Sequence, residues 1–460
     1  MRNATPNWLR IPSWRGRSNL PKSPWQRQAA AGKFALLLTS FITLLAASPR
    51  LAQGQIPLDP AIPDGLGVNI HFTSPQPGEM QELAAAGFHW VRMDLDWSAT
   101  ERVKGRYDFS AYDRLLAALA PYRIRPILIL DYANKFYDQG IAPHTDAGRA
   151  AFARWAAAAA LHFHGRGVVW EMYNEPNYAR FWRPAPNVED YILLALATGE
   201  AIQEADPGAT IIGPACALID LRFLAACFQV GLLNYWAGVS VHPYRQRDPE
   251  TVLPELRAVR FLIARYAPPG KKIPVIPSEW GYSSTWRYDH MDAQTQARML
   301  AREWLFEAAS EVPLTIWYDW QDDGADPRDP EVHFGLVRFP YRGGAQPVFA
   351  PKPAYLAAKT LSHALAGTRF TRRLAVGGPG DYVLLFTRGN EARLAAWTTS
   401  STPHAVLISR ARGRFRVTGF EGARLHKLRA RRKGLRLKIS ADPVYVEPEK
   451  ATGLARVVAP

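Results

Sequence analysis

Between residues 66 and 365 the sequence alternates short apolar runs with helical segments, eight times over. The runs are GLGVNIHF (65–72), HWVRMDL (89–95), RPILILDY (125–132), GVVWEMYNE (167–175), ATIIGPA (209–215), AGVSVHPY (237–244), KIPVIPSEW (272–280) and VPLTIWYDW (312–320). They are continuous in Val, Ile and Leu rather than alternating with polar residues. Such runs indicate strands buried on both faces, as in a parallel sheet covered by helices. MQELAAAG and the segments 112–122, 147–164, 188–205, 220–230, 251–266, 292–308 and 353–364 read as the helices between and after them. Eight such units predict an α/β fold of the (β/α)8 TIM-barrel type over residues 60–366. An open doubly wound sheet would need a Gly-rich phosphate loop after the first strand. The sequence there is IHFTSPQPGE, which has none. Pro274 and Pro277 sit awkwardly in the seventh strand, because proline cannot donate to a ladder. Pro274 is taken as the strand's start and Pro277 as a local distortion near its end.

After about residue 368 the pattern changes. DYVLLFTR, EARLAAWTT, HAVLISR, RFRVTGF, LRLKIS and PVYVEP alternate in hydropathy and are separated by turn residues. This predicts a C-terminal antiparallel β-sandwich-like module over 367–450.

The formal net charge is +15, but it is unevenly spread. Residues 1–52 hold eight Lys/Arg and no Asp/Glu, and residues 366–460 hold nineteen Lys/Arg against six Asp/Glu. Those ends account for +8 and +13, so the remainder carries −6 and is mildly acidic. Total charge is therefore no argument for a nucleic-acid partner, and none is expected. In the N-terminal segment a basic region runs to Lys33 and an apolar stretch follows from Phe34 to Ala47. Its length suits a signal peptide and is short for a membrane span. Arg50 sits where a small residue is preferred before a cleavage site ending at Ala52. The segment 1–52 is read as a signal peptide or a retained membrane anchor, and either exports the protein to the periplasm, the medium or the outer face of a membrane. Cys216 and Cys227 form a disulfide or remain as two buried thiols. Two cysteines are too few for a structural zinc site.

In a barrel of this type the active site lies at the C-terminal ends of the strands. The fourth strand ends in Asn174-Glu175-Pro176-Asn177, the sixth in His242-Pro243-Tyr244 and the seventh in Glu279-Trp280-Gly281. The second carries Arg92, Asp94, Asp96 and Trp97, and the eighth Trp317, Tyr318, Asp319 and Trp320. Glu175 and Glu279 would then face each other across the barrel mouth. Cleavage of a glycosidic bond with retention needs such a pair: one carboxylic acid protonates the leaving oxygen while a carboxylate about 5–5.5 Å away attacks the anomeric carbon. Arg92 and the Tyr244 hydroxyl would hold Glu279 ionised.

WEMYNEPN (170–177), SVHPY (240–244) and PSEWGYSS (277–284) together resemble the fourth-, sixth- and seventh-strand motifs of clan A glycoside hydrolases. The likeness is to family 39 and family 5 (cellulase) type bacterial enzymes, including secreted exopolysaccharide hydrolases. It spans about 66–448, with KPAY (352–355) and PVYVEP (443–448). It implies Glu175 as proton donor and Glu279 as nucleophile. It also implies that Asn174 binds the hydroxyl next to the anomeric carbon, that Arg92 supports and Tyr244 hydrogen-bonds the nucleophile, and that His242 lines the site. Ser278 departs from the threonine common there. Trp280 and Trp317 complete the expected substrate-binding set, with no cofactor and no metal.

Weaker candidates for sugar contacts are Trp320, Asp96, Trp97, Tyr132, Phe136, Tyr178 and Trp182. His162 and His164 lack acidic or Cys partners at ligand spacing. Asp322, Asp323, Asp326 and Asp329 do not match a Ca²⁺ loop and read as a solvated loop. The basic run RLHKLRARRKGLRLK (424–438) is a solvated face, a contact for anionic polysaccharide or membrane, or, against the export reading, a nucleic-acid contact. The expected function is retaining hydrolysis of O-glycosidic, β-linked bonds in a polysaccharide or oligosaccharide by an exported monomer, with membrane association open through the N-terminal segment. The alternatives are a catalytically inactive polysaccharide-binding barrel, which would be expected to lack one carboxylate, and a transglycosylase.

Overall fold

A computed structural model describes residues 55–286 and 291–458; the N-terminal segment 1–52 lies outside the described residues. Eight parallel strands form one sheet: β1 (Leu66–Asn69), β2 (Trp90–Asp96), β3 (Arg125–Asp131), β4 (Val169–Met172), β5 (Thr210–Ala217), β6 (Trp236–His242), β7 (Val275–Pro277) and β8 (Thr315–Trp317). They pair in sequence order, and β8 returns to pair with β1. The seam between β7 and β8 is closed just beyond β7 by a parallel bridge of Trp280 to Trp317. There Trp280 donates to the Ile316 carbonyl at 3.1 Å and Tyr318 to the Trp280 carbonyl at 2.9 Å. Strand β7 is only three residues long and ends at Pro277, so the ladder stops at the residue that lacks an N–H.

The helices are α1 (Glu79–Ala85), α2 (Trp97–Thr100), α3 (Ser110–Leu119), α4 (Asp146–His162), α5 (Val188–Ala205), α6 (Leu221–Gln229), α7 (Leu253–Tyr266), α8 (Ala293–Ala308) and α9 (Pro353–Ala364). Their starts follow local chemistry. Thr145, Asn187, Asp220 and Asp292 accept backbone N–H bonds from the first turns of α4, α5, α6 and α8. Two cores result from period-2 alternation along the strands. Trp90, Ile127, Val169, Ile212, Ile276, Leu314 and Ile316 fill the barrel interior. Their neighbours Val91, Leu128, Trp170, Ile211 and Val275 face the helical shell. Gly67 is where the interior is tightest, since a Cβ there would lie 2.4 Å from Ile316 Cδ1.

A short ribbon, β9 (Val337–Arg338) with β10 (Ala350–Pro351), folds over the β8 end. The rest is antiparallel: β11 (Arg369–Arg373), β12 (Asp381–Arg388), β13 (Glu391–Thr398), β14 (His404–Ile408), β15 (Arg414–Gly419), β16 (Arg424–Arg429), β17 (Leu435–Ile439) and β18 (Val444–Pro448). Six of them form a sheet in the order β11-β12-β13-β18-β15-β16, and β14 pairs with β17. Residues of both sets, such as Leu385 and Val446 with Ile408 and Leu437, share one core. This region and the barrel belong to one compact unit. They are fastened by Glu250, which accepts two bonds from Arg302 of α8 and one, at 2.6 Å, from the Trp397 indole of β13.

Cys216 and Cys227 are both buried free thiols, so of the two alternatives the thiols hold. Burial pushes the Cys216 thiol up to about 12, which leaves it protonated and inert. Among the described residues no helix is long and apolar enough to cross a membrane.

Candidate active site

The site is organised around Arg92, whose side chain is 1% exposed. From β2 its guanidinium reaches four strands. Nε donates to Glu171 Oε2 of β4 at 2.5 Å. Nη1 donates to Glu279 Oε2 at 2.6 Å and to Asn69 Oδ1 of β1 at 3.2 Å. Nη2 donates to Asn174 Oδ1 at 2.8 Å and lies 3.3 Å from His242 Nε2. Two carboxylates raise the affinity of this guanidinium for its proton against the cost of burial, so it is a fixed positive charge.

Glu279 follows β7 and is held at both oxygens. Oε2 takes the Arg92 bond, and Oε1 accepts from the Tyr244 hydroxyl at 2.9 Å. Burial works to raise its pKa, but the charges of His242 and Arg92 and the hydrogen bonds from Tyr244 and Arg92 outweigh it, and the carboxyl lies below its ordinary range. Its charged form is therefore the stable one at neutral pH.

Glu175 comes from the turn after β4, where Tyr173 (φ 66°) and Glu175 (φ 46°) both take left-handed backbone angles. Side chains with a Cβ resist that conformation by about 1–2 kcal/mol per residue, and such strain gathers at functional positions. The turn is pinned by the Glu175 N–H to the Ala215 carbonyl at 2.9 Å. Glu175 Oε1 lies 2.9 Å from His242 Nδ1, and His242 Nδ1 lies 3.8 Å from Glu279 Oε2. One ligand atom from each of Glu175, His242 and Glu279 falls within 4.8 Å of the others. The two carboxylates therefore stand close enough for one to attack a carbon whose substituent the other protonates.

Both carboxylates open into a cleft of about 760 Å³. Its walls include Tyr178 and Phe181 from the loop after β4, Leu218 after β5, Trp286 after β7, and Tyr318 and Phe334 after β8. Tyr132 stands behind, stacked on Phe181 at 5.6 Å and accepting a hydrogen bond from Asn174 Nδ2 at 2.8 Å.

The structure brings Arg92, Asn174, Glu175, His242, Tyr244 and Glu279 together. It places Trp280 and Trp317 elsewhere, which corrects their reading as substrate contacts. Both are wholly buried. The reason is alternation. Glu279 and Tyr318 face the cleft, so their chain neighbours face the other way. Trp280 lies under the Arg245 guanidinium, and the Trp317 indole bonds to the Phe334 carbonyl. Trp320 is buried and donates to Glu79, Trp182 and Trp97 are buried, and Asp96 caps α2 through the Ala99 N–H. Asp322 is not solvated as expected: it is buried in an ion pair with Lys352 at 2.7 Å. His162 and His164 point to Asp113 and Asp206 separately.

Sequence reading missed a second polar group beside the cleft. His71, just after β1, faces Asp323 at 3.4 Å and Asp319 at 3.9 Å. Burial opposes its proton, but the Asp323 hydrogen bond and the charges of Asp319 and Asp323 raise its pKa to about 9. The signal was present in IHF at the end of the first strand, the position that carries function in such barrels.

No family model matches the chain. Over 200 residues it is 27% identical to the Beta-xylosidase of Geobacillus stearothermophilus, a match covering 35% of this chain and 38% of that one. The chain thus spans well under half the length of the curated relative it matches. A family 39 glycoside hydrolase from the gut symbiont Bacteroides cellulosilyticus WH2 superposes with a TM-score of 0.72 at 25% identity, over 84% of this chain and 81% of that one. The resemblance is to clan A glycoside hydrolases of the family 39 type. A monomeric beta-xylosidase from Caulobacter crescentus CB15 shares the fold, with a TM-score of 0.63 at 20% identity over 87% and 99% of the two chains. Of the two families suggested by the motifs, these relatives fall on the side of family 39.

Proposed function

We propose that this chain is a retaining glycoside hydrolase acting on β-linked oligosaccharide or polysaccharide, with β-xylosides as the first substrates to try. The observation that carries the reading is the approach of Glu175 and Glu279 to within 4.8 Å at the mouth of the barrel. An inverting enzyme holds its carboxyl groups about 6.5–9.5 Å apart to leave room for a water, and the close approach of one oxygen from each residue favours the shorter, retaining separation. The relatives named as xylosidases support the choice of sugar.

In the first step Glu175 gives its proton to the glycosidic oxygen. One oxygen of Glu279 forms a bond to the anomeric carbon as the carbon–oxygen bond of the leaving group breaks. In the second step Glu175, now a carboxylate, removes a proton from water, which displaces Glu279 and restores both groups. Arg92 and Tyr244 keep Glu279 charged and correctly turned between steps. His242 sits against both carboxyls and orients Glu175. Export, supported by the basic region and apolar stretch of residues 1–52, and a β-sandwich form for the C-terminal module, supported by its shared core, belong to the same proposal.

A panel of aryl β-glycosides tests it. Glu279→Ala should lose turnover by about 10³-fold or more, the scale set by removing a covalent nucleophile. Glu175→Ala should keep turnover on substrates with good leaving groups and be accelerated by azide. Normal turnover by Glu279→Ala would overturn the proposal.

A further inference from the structure

A concavity larger than the cleft at the barrel mouth lies elsewhere in the molecule. It is a groove of about 1280 Å³ in the C-terminal module, formed by β14, β16, β17 and the turn joining the last two. Its lining contains no Asp and no Glu. Arg429, Arg431, Arg432, Lys433, Arg436 and Lys438 all face it, and all are exposed. Among the described residues none of these six has an ion-pair partner, whereas another lining cation, Lys427, pairs with Glu449 at 3.3 Å.

The arrangement is built rather than incidental. On β17 burial alternates, with Leu435, Leu437 and Ile439 in the core and Arg436 and Lys438 outward. Their Cα atoms stand about 7 Å apart on one face. Arg432 and Lys433 form the tip of a tight turn closed by two backbone bonds between Arg431 and Gly434. Gly434 (φ 132°) is the residue this turn requires, because a Cβ there would lie 2.3 Å from the Ile408 carbonyl oxygen. The turn is thus packed against the neighbouring β14, and its two charges are held out beside those of β17. Six like charges around one groove cost stability by mutual repulsion unless a ligand neutralises them.

We propose that this groove binds an anionic polysaccharide, a chain whose carboxylate or sulfate groups repeat along its length. Arginine forks match such groups. No Trp, Tyr or Phe lines the groove. The faces of neutral sugars therefore lack their usual stacking platforms, and the bases of single-stranded nucleic acid would find only the His404 and His426 rings and guanidinium planes. A concave groove fits an extended chain better than a flat bilayer. The choice of polysaccharide among polyanions rests on the glycosidase reading of the barrel site; the binding itself does not, and the test separates them.

Binding of the full chain to polygalacturonate is measured with neutral xylan, anionic phospholipid vesicles and duplex DNA as comparisons. Polygalacturonate should bind most tightly, and binding should weaken steeply as salt rises from about 0.05 to about 0.5 M. The variant Arg432→Ala/Lys433→Ala/Arg436→Ala/Lys438→Ala should bind about tenfold or more weakly, the sum of four exposed charge contacts of ordinary strength. Its melting temperature should be equal to or higher than the parent's, because like-charge repulsion is relieved, and its turnover of a small aryl glycoside should be unchanged. A control of equal charge loss on the barrel's outer helices and loops, Arg114→Ala/Arg257→Ala/Arg265→Ala/Lys272→Ala, should bind like the parent. Glu279→Ala should also bind fully, so that a failed glycosidase reading does not read as failed binding. Absence of binding, equal loss in the control, or tighter binding to vesicles, DNA or xylan would overturn the proposal.

Discussion

At the scale of single residues, Arg92 joins two carboxylates that would otherwise repel, Glu171 buried and Glu279 half-buried at the cleft. Arg92→Leu leaves Glu171 and Glu279 without their shared counter-charge. Breaking a buried pair in this way costs about 3–5 kcal/mol. The variant should show a clearly lower denaturation midpoint together with lost turnover. Tyr244→Phe is the subtler change. The hydroxyl bonds to charged Glu279 and helps hold its carboxyl below the ordinary range, so its loss should raise the pKa of that carboxyl. In the proposed mechanism Glu279 must be ionised to attack, so the acid limb of the kcat/KM profile should move to higher pH. An unmoved limb would show that another group sets it. The linkage sign agrees: a carboxyl with a lowered folded pKa stabilises the fold at neutral pH and loses that contribution as the pH falls. The grouping of Arg92, Asn174, Glu175, His242, Tyr244 and Glu279 was legible in the sequence because strand ends in this architecture converge on one face of the barrel. Trp280 and Trp317 were misread because one step along a strand reverses the side chain, and hydropathy alone does not say which of Trp317 and Tyr318 faces in. His71 was overlooked because its partners Asp319 and Asp323 are some 250 positions away in sequence.

At the scale of elements, the seam between β7 and β8 closes next to Glu279, the proposed nucleophile. Pro277 ends β7 early, and the ring is completed only by the bridge at Trp280, the residue after Glu279. Gly281 permits that bridge, since a Cβ there would lie 2.0 Å from the Tyr318 carbonyl oxygen. Gly281→Ala should therefore push the strands apart. Overpacking of this kind costs about 1–3 kcal/mol. Turnover should fall more than stability does, because Glu279 is the nearest functional group. Chemical denaturation and single-turnover rates on the same variant would check this. The eight runs made the strands readable, and α5 and α9 fall at 188–205 and 353–364 as expected. The closure of the seam was hidden, because it depends on backbone approach and not on hydropathy.

At the scale of the whole molecule, the acidic barrel and the basic module meet at Glu250, Arg302 and Trp397, with Tyr382 stacked on Trp397 at 4.6 Å. A buried contact of this kind should couple the unfolding of the two regions. Trp397→Ala removes the stack and one partner of Glu250. A loss of about 3–5 kcal/mol follows from the truncation. In calorimetry the parent should melt in one transition and the variant should show two or a broadened one; an unchanged single transition would mean that the contact does not couple them. The change of pattern near residue 368 made the module readable, but not its anchoring, because Glu250 and Trp397 are 147 residues apart.

The central claim is double displacement between Glu175 and Glu279, and the configuration of the first product tests it most directly. Proton NMR of an aryl β-glycoside during the first turnovers should show the β-anomer appearing first, with the α-anomer growing only by mutarotation. The α-anomer appearing first would contradict the account.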